Sequence, residues 1–159
     1  MSSSGRYSFV VIFVSLVGCG GNTDAVRLNG DVSRLIGEMH PLKQQLDDAL
    51  VAKDKAKIDA ATEDVNRKLA KIADKADKTK VPDDAASKTY WEIFQTIRKN
   101  HERILKEDYP KVIRGFLDPA HKDEAAAAFK SIEEAGKRDG ERLVEAQKEY
   151  AKIKGLKIK

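Results

Sequence analysis

Leu28-Asn29-Gly30-Asp31-Val32-Ser33-Arg34-Leu35-Ile36-Gly37-Glu38-Met39-His40-Pro41-Leu42-Lys43-Gln44-Gln45-Leu46-Asp47-Asp48-Ala49 decides the fold class. Its apolar residues Leu28, Val32, Leu35, Met39, Leu42, Leu46 and Ala49 alternate steps of four and three, with Ile36 and Leu50 widening the stripe. That spacing puts one apolar face on a helix and rejects a strand, whose faces alternate every second residue. Pro41 lies inside the stripe. Proline lacks the backbone donor and crowds the preceding turn, but the pattern stays in phase across it, so one helix with a kink near His40 is expected.

Three more stripes lie further along the chain. Asp54 is placed to cap a second helix carrying Ile58, Ala61, Val65, Leu69, Ile72 and Ala76. Residues Thr79 to Asp84 read as a loop, with Pro82 blocking helix and Asp83 or Asp84 capping the next one. The third helix holds Tyr90, Trp91, Phe94, Ile97, His101, Ile104 and Leu105. Tyr109-Pro110 should kink or end it, with some helix resuming through Val112, Ile113, Phe116 and Leu117. Asp118-Pro119 is a start signal for a fourth helix over Ala125, Ala128, Phe129, Ile132, Ala135, Leu143, Ala146, Tyr150 and Ile153. Gly136 and Gly140 sit in its middle and suggest a close crossing or a bend. Four helices with short connections predict an all-α, antiparallel up-down-up-down four-helix bundle over residues 26–159.

Composition agrees. The 159 residues suffice for one domain, 35% are charged and only 6% aromatic. One cysteine excludes an internal disulfide framework and a cysteine-rich zinc site, and three histidines give little material for a metal centre. Few aromatics and a net charge of +4 argue against a nucleic-acid partner.

The residues ahead of the stripe have a different logic. Met1 to Tyr7 is polar with one cation, Arg6. Phe9 to Val17 is almost wholly apolar, and Gly18, Cys19, Gly20 and Gly21 come next. A basic end, an apolar core and small residues at its exit describe a secretory signal peptide over residues 1–18. The apolar run is too short to span a bilayer, which takes roughly 20 residues.

Leu16-Val17-Gly18-Cys19 resembles the lipobox of bacterial lipoproteins. The resemblance implies cleavage between Gly18 and Cys19, a diacylglycerol on the Cys19 sulfur, and acylation (palmitate or a similar chain) of the new amino group. It also implies membrane attachment on the extracytoplasmic side of the cell envelope. Gly20, where an Asp would favour retention at the inner membrane, points to the outer membrane facing the periplasm if the source has one. Loss of residues 1–18, with Arg6, takes 159 residues to 141 and 30 basic side chains to 29, against 26 acidic. Residues 19–25 are expected to be the lipidated cysteine and a short tether.

The bundle also resembles the periplasmic four-helix cytochromes of the c-prime type in helix lengths, in the Asp-containing first turn, in the proline-bearing central loop and in the alanine-rich start of the last helix, Glu124 to Phe129. That family holds haem through Cys-x-x-Cys-His, or a histidine, on its last helix. Here Ala135 to Gly140 stands in that region with neither residue type. Met39, by match to the family's first-helix methionine, and His101, on the apolar stripe, are therefore the candidates for cofactor binding, with no cofactor or metal expected. Glu-x-x-His, the di-iron motif, is absent, since Gly37, Arg98 and Asp118 stand three residues before His40, His101 and His121.

No Gly-x-Ser-x-Gly element or phosphate-cradling loop occurs, so no catalytic residue is assigned. The expected function is a non-enzymatic, lipid-anchored interaction or structural module of the envelope, with an envelope protein or an anionic polymer as partner. The alternative is a degenerate or non-covalent haem- or metal-binding electron-transfer bundle. Lys148, Lys152, Lys154, Lys157 and Lys159 crowd the C-terminus. They read first as a solvated helix end complementing the helix dipole, and second as a contact for an anionic surface.

Overall fold

The computed structural model describes residues 23–156; residues 1–22, with the expected signal peptide and Cys19, and Lys157 to Lys159 lie outside them. The described chain forms four helical rods and no strand. The first rod is α1 (Thr23–Val51) and the second α2 (Lys55–Asp77). The third is α3 (Ala85–Arg103), which passes through a π-helical turn, Ile104–Asp108, into α4 (Tyr109–Leu117). A 3-10 turn, Pro119–His121, leads into α5 (Lys122–Lys154).

Cross-rod hydrogen bonds give the directions. Gln45 of α1 reaches Asp64 of α2, while Glu38, earlier in α1, meets Lys75, later in α2, so this pair is antiparallel. Tyr90–Asn29 and Tyr109–Asp47 join α1 to the third rod with sequence separations of 61 and 62, so those two rods run parallel. Ser87–Tyr150 and Asn100–Asp139 run antiparallel between α3 and α5. The result is the up-down-up-down bundle.

α1 begins at Thr23, inside the stretch read as tether, and runs unbroken past Pro41. Its stripe Leu28, Val32, Leu35, Met39, Leu42 and Leu46 is buried. Asp54 caps α2, accepting from the backbone N–H of Ala56 and Lys57. Asp84, rather than Asp83, caps α3 by accepting from Ser87 N–H at 3.0 Å.

Four details depart from the sequence reading. Pro110 does not end the third rod. The turn before it widens to the π form, in which Tyr109 N–H bonds Ile104 C=O, and this makes room for the proline ring against the preceding carbonyls. Asp118 caps the 3-10 turn through Ala120 N–H, and α5 starts only at Lys122. A close crossing that the sequence reading did not single out falls at Gly115, where an added Cβ would lie 2.3 Å from Ala125 Cβ and 2.6 Å from the His121 carbonyl oxygen.

Fourth, Ile153 and Phe129 are exposed rather than buried. The inward stripe of α5 runs Ala146, Tyr150, Lys154, because Lys154 turns in to meet Asp84 at 2.7 Å. Gly155, at φ 64°, ends the helix in the left-handed form. Leu156 then folds back, bonds Ala151 C=O through its backbone N–H and joins the buried core.

Candidate interaction surfaces

Three polar layers interrupt the apolar core. The first lies near the start of α1. Asn29 Oδ1 accepts from Tyr90 OH and from Gln147 Nε2, each at 3.0 Å, joining α1, α3 and α5. Tyr90 stacks on Tyr150 at 4.5 Å between centroids, and the Tyr150 hydroxyl shares a 3.1 Å hydrogen bond with Ser87 Oγ. Burial raises the Tyr90 phenol well above its ordinary range. Asp84 closes the layer, accepting from Ser87 Oγ and Lys154. The Lys154 ammonium, with the Ser87 donors, holds its carboxyl down to about 2.

The second layer contains His101. Its Nε2 is buried and has no hydrogen-bond partner. Burial holds the imidazole down to about 4, against the Met39 backbone hydrogen bond and the Asp139 carboxylate, which favour its charged form. Asn100 donates to Asp139 alongside. The two cofactor candidates are thus brought together, since Met39 is buried in the core and its backbone partners the His101 ring. Both therefore lie at one level of the core, joined through the Met39 backbone. Among the described residues, no group of three or more His, Cys, Asp or Glu converges as a metal site.

The third layer lies towards the other end. Tyr109 donates to Asp47, which also accepts from Lys43 at 2.6 Å. The Lys43 ammonium sits 5.9 Å from the Tyr109 ring and 5.8 Å from the Phe129 ring, which covers one face of the exposed Phe129. Buried Asp108 is paired with Arg103 at 2.8 Å and Lys111 at 3.2 Å. Each layer is satisfied apart from His101 Nε2, so these groups help fix which helices pair.

One accessible feature among the described residues is a groove between α2 and α4, about 400 Å³ in volume. Its α2 wall is Ile58, Asp59, Thr62, Glu63 and Asn66, and its α4 wall is Pro110 and Ile113. It is open because α2 packs chiefly on α1, whereas α4 packs on α5. Leu117 continues the Pro110–Ile113 face at helical spacing. Beyond the groove, Phe116, Leu117 and Val51 are exposed, Val51 at 79%. All three lie at the end of the bundle where α1 and α4 finish, opposite the start of α1. The apolar spacing of Val112 to Leu117 was legible in the sequence; the gap beside it was not, because it depends on how α2 sits.

No helix among the described residues is long and apolar enough to cross a membrane. Comparison with protein-family models, curated proteins and solved structures finds no match.

Proposed function

We propose that the protein is a lipid-anchored, extracytoplasmic helical bundle that works as a non-enzymatic interaction module of the cell envelope. The lipobox-like Leu16-Val17-Gly18-Cys19 supports the anchor. The observation that carries the interaction role is the α2–α4 groove with exposed Phe116, Leu117 and Val51 beside it. Exposed apolar side chains gathered at one end of a folded domain mark a candidate contact site. Its walls suit a partner helix or extended segment that places apolar side chains on half-buried Pro110 and Ile113. The acids Asp59 and Glu63 on the α2 wall favour an envelope protein over an anionic polymer.

Attachment through Cys19 would hold this end away from the membrane, because α1 starts at Thr23 and runs the length of the bundle. A photo-crosslinking residue at Ile113 or Leu117 in living cells tests the role. The expected result is one discrete adduct from both positions, absent from exposed Lys99 on α3 and lost in Cys19→Ala. Identical adduct patterns from Ile113 and Lys99 would remove the groove as the contact.

A further inference from the structure

The topology also fixes which surface faces the lipid, if Cys19 carries the anchor proposed above. Four residue steps separate Cys19 from Thr23, a reach of at most about 14 Å. The start of α1 therefore stays close to the headgroups. Gln147 bonds Asn29 and Lys154 bonds Asp84, so the last turns of α5 and the α2–α3 connection sit at that same end.

Most charges there are consumed internally. Arg27 pairs with Asp24, Lys78 with Asp74, Lys88 with Asp83 and Lys154 with Asp84. Three exposed lysines, Lys80, Lys148 and Lys152, have no ion pair among the described residues; the exposed acids likewise without one are Asp77 and Glu149, with Glu92 and Glu145 about a turn further from the anchor. Beside Lys152 stands Ile153, 59% exposed. In sequence Lys148 and Lys152 read as part of a solvated helix end. In the fold, the inward turn of Lys154 leaves Lys152 and Ile153 pointing out at the anchored end, within reach of the surface.

We propose that this end is a lipid-contact surface. Lys80, Lys148 and Lys152 rest against anionic phospholipid headgroups, with Ile153 at the boundary of headgroup and acyl chain, and the contact stands the bundle upright with its groove outward. The charge screening length at physiological salt is about 8 Å, so lysines held this near the surface feel its potential. Each contributes roughly a fivefold factor to the seated state. Mixed cationic and apolar residues are the pattern that binds this interface.

The test uses the full lipidated protein, whose Cys19 thiol is occupied. A single introduced cysteine, Ala85→Cys at the anchored end or Ala120→Cys at the free end, is labelled with a donor dye. Energy transfer to headgroup-labelled lipid is then measured in phosphatidylglycerol-containing and pure phosphatidylcholine vesicles, with the lipid on Cys19 verified by mass. Transfer should be high from position 85 and low from position 120 in the anionic vesicles. The contrast should shrink in phosphatidylcholine, in high salt, and in the triple variant K80E/K148E/K152E. Equal contrast in both lipids and at all salts, with Cys19 lipidated, overturns the contact while leaving the anchor intact. A protein with unmodified Cys19 overturns both. The salt series on the unsubstituted lysines decides the matter even if the triple variant folds poorly.

Discussion

Tyr90 of α3 donates its hydroxyl to Asn29 of α1 at 3.0 Å, and both side chains are buried. The same Asn29 oxygen also receives Gln147 of α5, so one short side chain sets the relative height of three helices. A buried donor left without a partner costs about 1–3 kcal/mol. Asn29→Leu strands two donors and should lower stability by about 2–4 kcal/mol. Tyr90→Phe, which leaves Asn29 still bonded to Gln147, should cost only about 1 kcal/mol. Urea denaturation of the two single variants and the double variant measures both values. Additive losses would show that the pair is not coupled.

His101 makes stability fall with acid. Burial holds the folded ring down to about 4, below its ordinary 6.5. As pH drops below 6.5 the unfolded chain takes up the proton first, so the folded state loses stability from there until the folded ring titrates near 4. The loss is on the order of 3 kcal/mol. Denaturation midpoints across this window should slope for the wild type and flatten in His101→Phe. A slope unchanged by the substitution would assign the acid sensitivity to other groups.

Gly115 permits the sharp return from α4 into α5. An added methyl would meet Ala125 Cβ and the His121 backbone, neither of which is the far end of a flexible side chain. Gly115→Ala should therefore cost about 1–3 kcal/mol. It should also open the end of the bundle that carries Phe116 and Leu117, read as increased binding of a hydrophobic dye. Full stability in this variant would mean that the corner can relax.

Gly155 ends α5 in the left-handed region at φ 64° and lets Leu156 fold back. Gly155→Ala strains that turn and should cost about 1 kcal/mol. Amide exchange is expected to quicken in the last turn of α5 and at Asp84, where Lys154 docks, while exchange at the centre of the bundle keeps its rate. Uniform quickening throughout would show that the cap is part of the global unfolding unit.

The helical stripes were legible because a steady alternation of threes and fours encodes the buried face directly, as Leu28 through Leu46 demonstrate. Asp54, and the third-helix cap as one of Asp83 and Asp84, were legible because capping is local chemistry. The hidden features depend on partners distant in sequence. Lys154 displaced Ile153 from the inward register because Asp84 waits for it some seventy residues earlier in the chain. Gly115 is critical only because Ala125 arrives against it. The meeting of Met39 with His101 comes from the vertical register of α1 and α3, which Asn29 and Tyr90 set and no local pattern announces.

The central claim is that Cys19 anchors this bundle to a membrane. Metabolic labelling of cells with a palmitate analogue, comparing wild type with Cys19→Ala, tests it most directly. The account predicts a labelled, membrane-bound mature protein beginning at Cys19, and no label on the alanine variant. Equal labelling of the two, or a mature wild-type protein that is unlabelled and released from membranes, would contradict it.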